Sequence, residues 1–566
     1  QATNAAADLS PHPQHARPLE VQAAAAGEVV EGLGFAGAGS SGCVLAARLS
    51  EDPGCRVLLI EAGGSEKRAI VSMPLAWFEA MKTPGIGWGY LSEPEPHCDD
   101  RRIPAPRGKL IGGCSSINGM MYSRGHPGDY DQWAQMGARG WSHDEVLPYF
   151  RKSESNWRGP SEHHGGDGPI TVARHASDSV VYPALLATAQ KRGWKHLSDF
   201  HGEDREGWSA PDFTVHRGRR ASPAARMLRP AMARANLTVI THALTHRIVV
   251  DKGRATGVVF EHDRQLHTVN AAGEVVVSAG AFNSPHLLML SGIGPGNALR
   301  EHGIDVVCDL PGVGANLQDH ASIGMVHKAS GAFSFDRELR LDRFALSLLR
   351  WQLFGTGPAG GLPVGAQGFL RTREGLDRPD LQLLINPLAM DSRLWFPGWR
   401  ARKGDFLSLS AVLLHPESRG RVALKSADPR AKPAIHLNLL ATDGDRASFR
   451  RFVRFTRDFL ADNPASDLID HEVVPGPDVQ SDAEIDAFVR QRIGTAMHPT
   501  SSCAMGTGAM AVVDPQLRVR GVEGLRVVDC SVMPTIPGGN TNAPAIMIAE
   551  KAADMIRHGQ AAAIAA

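Results

Sequence analysis

The chain has 566 residues, 43% of them hydrophobic, which is enough for two or more domains with large cores and excludes global disorder. Sixty Lys plus Arg balance sixty Asp plus Glu, so no basic excess draws it to nucleic acid, and a small uncharged substrate suits it better. Seven cysteines, odd in number and without a Cys-x-x-Cys pair, argue against a disulfide framework or a zinc site and point to a reducing, cytoplasmic setting.

In chain order, residues 1–27 are Ala-rich and of low complexity and read as a disordered leader, without the pattern of a secretory signal. Residues 29–36 are expected as the first strand, although Glu31, Gly32 and Gly34 break the apolar run a buried parallel strand should have. Next, Gly37, Gly39 and Gly42 have Gly-x-Gly-x-x-Gly spacing, with Ser40 and Ser41 opening a helix through Leu49. Such glycines permit a tight turn, close approach to a pyrophosphate and close helix packing. Residues 56–60 form a second strand ending at Glu61, where a carboxylate can accept both hydroxyls of an adenosine ribose and disfavours a 2′-phosphate. This fingerprint alone does not separate NAD from FAD.

Farther on, residues 237–240 and 274–278 read as returning strands of the nucleotide domain. The expected division assigns 28–150, 219–320 and 493–566 to that domain and 151–218 and 321–492 to a substrate-covering one. At the C-terminal end a strand over 525–528 reaches Asp529, and a Gly-rich turn with Asn540 and Asn542 leads into a helix with Pro544 in its first turn. Ala545, Ile548, Ala549, Ala552 and Ile556 share a face of that helix, which Gly559 is expected to end. No eighteen apolar residues run together, so no transmembrane span is expected; peripheral membrane contact stays open.

Two long segments carry a family resemblance. Residues 108–118, Gly-Lys-Leu-Ile-Gly-Gly-Cys-Ser-Ser-Ile-Asn, and 280–294, Gly-Ala-Phe-Asn-Ser-Pro-His-Leu-Leu-Met-Leu-Ser-Gly-Ile-Gly, resemble the two signatures of the glucose–methanol–choline (GMC) oxidoreductases. The run 310–314 and the His-Pro and Asn-x-Asn elements extend the likeness from about Gly37 to Gly559, most like choline-dehydrogenase-type and bacterial alcohol dehydrogenase members. The resemblance implies an α/β fold with a Rossmann-like FAD-binding domain and a discontinuous substrate-binding domain containing an antiparallel sheet. It also implies that FAD is held non-covalently, because Ile117 stands where members that link FAD through this loop carry histidine.

By the same resemblance, Asn118, Gly119, Met120 and Met121 match the stretch against the flavin, and Gly112, Gly113 and Ser116 before them are expected to bind the cofactor. Thr245 matches a position whose backbone meets the adenine, and Asp529 the acid near the ribityl and pyrophosphate portion. His498, in His-Pro-Thr followed by Cys503-Ala504-Met505-Gly506, resembles the catalytic histidine segment, and Asn540 the second active-site position. A neutral imidazole suits the removal of a hydroxyl proton near neutral pH while flavin N5 takes the hydride. His498 is thus expected as base, Asn540 as the amide that orients the substrate oxygen, and Asn542 within reach of the flavin ring. The positive end of the helix beginning near Ala543 is expected to favour the negative charge of reduced flavin.

The expected reaction is oxidation of an alcohol to an aldehyde or ketone, without a metal, passing electrons to a quinone, another carrier or O2. A dehydrogenase is preferred over an oxidase; the reading from another class is a GMC-fold hydroxynitrile lyase. The stretch 360–367 has no acid or aromatic residue to cage a quaternary ammonium, so primary, aromatic or long-chain alcohols are expected rather than choline. Trp395, Phe396 and Trp399 are candidates for an apolar wall.

Overall fold

A computed structural model describes residues 29–30, 32–174 and 180–565. The leader 1–27 and Glu31 lie outside the described residues. Five parallel strands form one sheet in the order Leu237–Ile240, Arg56–Ile60, Gly32–Ala36, Val275–Val277, Leu525–Val527. Buried on both faces, these strands are nearly continuous apolar runs: Leu33, Phe35, Val57, Leu59, Val276 and Val527 are all buried. The sheet gathers strands from four distant parts of the chain, which is how a local Gly-rich turn comes to face residues five hundred positions away.

The expected first strand divides in two. Val29–Val30 pairs with Gln265–Ala271 in a four-stranded sheet, and only Gly32–Ala36 enters the parallel one. Glycine at position 32 has a steric cause: a Cβ there would sit 2.1 Å from the Arg56 carbonyl oxygen of the neighbouring strand. Gly34 is not so constrained, since its nearest neighbour would be the Ala271 Cβ at 3.8 Å.

A seven-stranded antiparallel sheet builds the other half. Its path is Ile469–Val474, Ala321–Ala329, Phe406–Leu413, Leu381–Asn386, Ala366–Leu370, Gly207–Ser209, with Gly494–Thr495 also on Ala321–Ala329. Along Ala321–Ala329 buried and accessible residues alternate, as a sheet with one covered face requires. Sheet membership supports the two-part division, which we retain as a proposal, with 494–495 lying on the substrate-side sheet. The last helix, Asn542–Ala565, packs on the first, Ser40–Leu49, and runs past Gly559. A glycine costs a helix only about 1 kcal/mol, and the Ala-rich tail that follows sustains it.

Gly32→Ala is expected to lower the thermal unfolding midpoint, corresponding to roughly 1–3 kcal/mol of overpacking, while Gly34→Ala leaves it within about 0.5 kcal/mol. Equal midpoints for the two variants in a differential scanning experiment contradict this packing account.

Candidate active site

Between the two sheets lies a cavity of about 1420 Å³. Ordinary small-molecule pockets hold roughly 300–1,000 Å³, so this one has room for a dinucleotide and a substrate together. Its nucleotide end is built by backbone. Gly37 has φ +102°, and its Cβ would lie 2.7 Å from the Ser278 carbonyl oxygen. The helix Ser40–Leu49 starts at Gly39 without a side-chain cap, so its first N–H groups face the cavity free for an anion. Gly280, also at positive φ, has nothing within 4 Å of where a Cβ would project. This cradle fits a pyrophosphate, and Glu61 fits the ribose beside it.

Glu61 is buried at its strand end, accepting from Ala38 N at 3.0 Å and Gly63 N at 2.8 Å. Burial pushes its carboxyl up to about 7, against the lowering pull of those two bonds and of Lys109. Asp529 accepts from Gly280 N (2.8 Å), Ser284 Oγ (2.5 Å) and Ser531 N (2.8 Å). It thereby ties the last parallel strand to the start of the helix Gly280–Leu290. Asn542 Oδ1 accepts from Ser40 Oγ at 3.2 Å, and Ser41 Oγ donates to Ala545 O at 3.1 Å, which locks two helix N-termini together at the cavity wall. Thr245 lines the same region from the strand Leu244–Asp251.

Asn118, Gly119, Met120 and Met121 line the cavity together with Gly113. Arg220, buried and pulled down to about 9 by desolvation, donates to Asn118 O (2.6 Å), Asn118 Oδ1 (2.7 Å) and Val71 O (2.8 Å). That clamp fixes the loop, with Met120 at φ +57°. Three expected contact residues lie behind the wall instead. Gly42 provides helix packing, since its Cβ would sit 2.0 Å from Gly37 O; Gly112 takes φ +85° and donates to Ala38 O; Ser116 Oγ donates to Ile111 O. None of the three is among the residues that line the cavity.

At the opposite end His498 and Asn540 meet, with His498 Nε2 3.1 Å from Asn540 Nδ2. His498 Nδ1 lies 2.9 Å from His320 Nδ1, and His320 Nε2 lies 3.0 Å from the Leu414 carbonyl oxygen. A carbonyl only accepts, so His320 carries its proton on Nε2. Burial and the neighbouring His498 hold His320 neutral, leaving its Nδ1 as an acceptor. His498 must then donate from Nδ1, and its Nε2 lone pair points to Asn540 at the cavity. Desolvation and the Arg107 charge hold the His498 imidazole down to about 3. Asp319 accepts from the His498 backbone N–H at 2.8 Å and from the Thr495 hydroxyl, and Gln382 Nε2 donates to Asn540 Oδ1 at 3.4 Å.

His320, Asp319, Gln382 and Arg220 were not singled out from the sequence. Only Asp319-His320 left a signal, a polar pair before the alternating strand Ala321–Ala329. Among the described residues no cluster could hold a metal ion.

Family models described as GMC oxidoreductase match residues 33–322 and 416–549. The chain is 42% identical over 522 residues to an oxygen-dependent choline dehydrogenase of Rhizobium rhizogenes, covering 92% of this chain and 94% of that one. Among solved structures it resembles pyridoxine 4-oxidase from Mesorbium loti (TM-score 0.84, 30% identity, 93% and 99% of the two chains). It also resembles formate oxidase of Aspergillus oryzae, studied for its FAD modification (TM-score 0.86, 28% identity, 94% and 99%). The chain belongs to the GMC oxidoreductase family. Its cofactor is FAD, and its reaction class is FAD-dependent oxidation of an alcohol.

Glu61→Ala is expected to lose its yellow colour on gel filtration, and acid precipitation of the parent protein to release all of its flavin into the supernatant. Flavin that stays with the precipitate contradicts binding by contacts alone.

Proposed function

We propose that the protein oxidises an uncharged alcohol, with His498 as the base and Asn540 as the group that holds the substrate oxygen. The observation carrying this reading is the tautomer chain from Leu414 O through His320 to His498, which leaves Nε2 without a proton and accepting from the Asn540 amide across 3.1 Å, a bond a substrate hydroxyl would replace. A hydroxyl oxygen placed about 3 Å from both atoms would donate its proton to Nε2 and accept from Asn540 Nδ2–H. Gln382 holds the amide in the orientation this needs. Hydride acceptance from the carbinol carbon is the chemistry FAD supplies when bound. Ile117, buried and without a nucleophilic atom, supports FAD held without a covalent link at that position.

The cavity walls support an apolar substrate over choline. Its acids are Glu61, Glu79, Glu261, Asp263 and Asp529, and none lies on the strands that carry Gln382, Leu384, Ser410 and Val412 beside His498 and Asn540. Glu79 is paired with Lys82 at 3.1 Å, and the same ammonium sits 3.8 Å over the Phe78 ring. That aromatic face is already occupied by a cation. Trp77, Met73, Leu362, Val364 and Leu384 leave an apolar wall for an aromatic or long-chain alcohol. For the electron acceptor we propose a quinone or other carrier; the second reading, O2, is favoured by the likeness to an oxygen-dependent choline dehydrogenase and to solved oxidases.

In anaerobic stopped-flow, His498→Ala should keep FAD but slow flavin reduction by alcohol by roughly 10²- to 10⁴-fold. Because the folded imidazole is held down to about 3, it stays neutral well below the usual histidine range, and the parent rate should be flat from pH 8 to about 5. An unchanged variant rate, or a parent rate halved near pH 6.5, contradicts the assignment. In an alcohol panel, benzyl alcohol or octanol should bleach the flavin faster than choline, with no peroxide release under air; the reverse order overturns the substrate reading.

A further inference from the structure

The helix Leu341–Phe354 is turned the wrong way for an ordinary surface helix. Ser347 and Trp351 anchor its inner face, Trp351 Nε1 donating to Gly218 O at 2.6 Å and Ser347 Oγ accepting from Ala359 N at 2.9 Å. Its outer face carries Leu346, Leu349, Leu353 and Phe354, exposed by 56–72%. A surface helix normally gives this face to polar residues, and a contiguous apolar patch in water marks an interaction site.

Beside the start of this helix runs the loop with Trp395, joined to it by Leu341 N→Trp395 O at 3.0 Å and Trp395 N→Leu339 O at 3.2 Å. Phe396 and Trp399 on this loop are also exposed, and of the three aromatics expected as a substrate wall Trp399 lines the cavity while Trp395 and Phe396 do not. Leu339 and Phe344 from the helix side and Leu394, Trp399 and Arg400 from the loop all border the catalytic cavity. At 100° per residue Phe344 falls on the inner face with Ser347 and Trp351, so the helix stands between the cavity on that side and the exposed leucines on the other.

The charge around the patch is one-sided. Segments 335–354 and 390–405 hold eight cations against five acids in a chain whose total charge is zero. The acids are paired locally, as in Arg340–Asp342, Arg343–Glu338 and Lys403–Asp391. Arg337, Arg350, Arg393 and Arg400 have no acidic partner among the described residues, and all four are exposed. Exposed leucines on the helix, with an exposed tryptophan and arginines that lack an acidic partner on the helix and the neighbouring loop, are the combination that seats a protein on a bilayer.

We propose that the leucine face of this helix docks on the surface of an anionic phospholipid bilayer. A second copy of the chain fits less well, because a two-fold contact through the patch would oppose these unpaired arginines to themselves. A bilayer supplies the counter-charge and an apolar layer at the same depth. The proposal stands on surface residues and does not depend on the alcohol assignment.

The test is flotation of the full-length flavin-loaded protein with vesicles of phosphatidylcholine alone or of phosphatidylcholine with phosphatidylglycerol, at low and high salt. Binding should appear with the anionic vesicles, and fall roughly tenfold or more with neutral vesicles, in high salt, or in the L349S/L353S double variant. The variant should retain flavin and an unchanged unfolding midpoint. No flotation, equal flotation on both vesicle types, a variant that floats like the parent, or a concentration-dependent dimer that the two substitutions dissociate would overturn the proposal.

Discussion

The organising constraint is the placement of a desolvated imidazole at one end of the cavity with one nitrogen unprotonated. Buried polar groups are tolerated only when their partners are in place, and here the partners decide which nitrogen is free. Leu414 O settles the proton on His320, His320 settles the proton on His498, and Asn540 and Gln382 fill the remaining positions. Each member comes from a different segment, so the protein must bring the antiparallel sheet, the His498 loop and the turn before the last helix into register before any of the proposed chemistry exists.

The nucleotide end answers to a different physics. There the residues act by leaving space and bare N–H groups: Gly37 and Gly280 at positive φ, an uncapped helix start at Gly39, and a buried carboxylate at Glu61 whose position two backbone N–H groups fix. Asp529 and Asn542 brace this end, because each holds a helix N-terminus at the cavity wall. The cavity is thus anionic-ligand-seeking at one end and apolar with a single basic nitrogen at the other, an asymmetry that suits a dinucleotide and an uncharged alcohol.

Much of this was readable in order along the chain. The parallel strands, the Gly-rich turn, Glu61 and the final helix are local patterns, and a glycine run or an apolar strand announces itself without its neighbours. Gly32 looked like a fault in the first strand because its reason, the Arg56 carbonyl, lies on the adjacent strand. Gly42, Gly112 and Ser116 belong to the right motifs but act from behind the wall, a distinction of depth that spacing does not carry. His320, Gln382 and Arg220 were illegible for the same reason: each is one polar residue in an unremarkable stretch, given its place only by tertiary contacts. The leucines of Leu341–Phe354 would pass for core residues in sequence, and only their exposure marks them.

Neutron diffraction from the flavin-bound protein at pH 7 tests the central claim most directly, because it locates hydrogen isotopes on the two imidazoles. The account predicts deuterium on His320 Nε2 and His498 Nδ1 and none on His498 Nε2. Deuterium on His498 Nε2, or on both of its nitrogens, would contradict it.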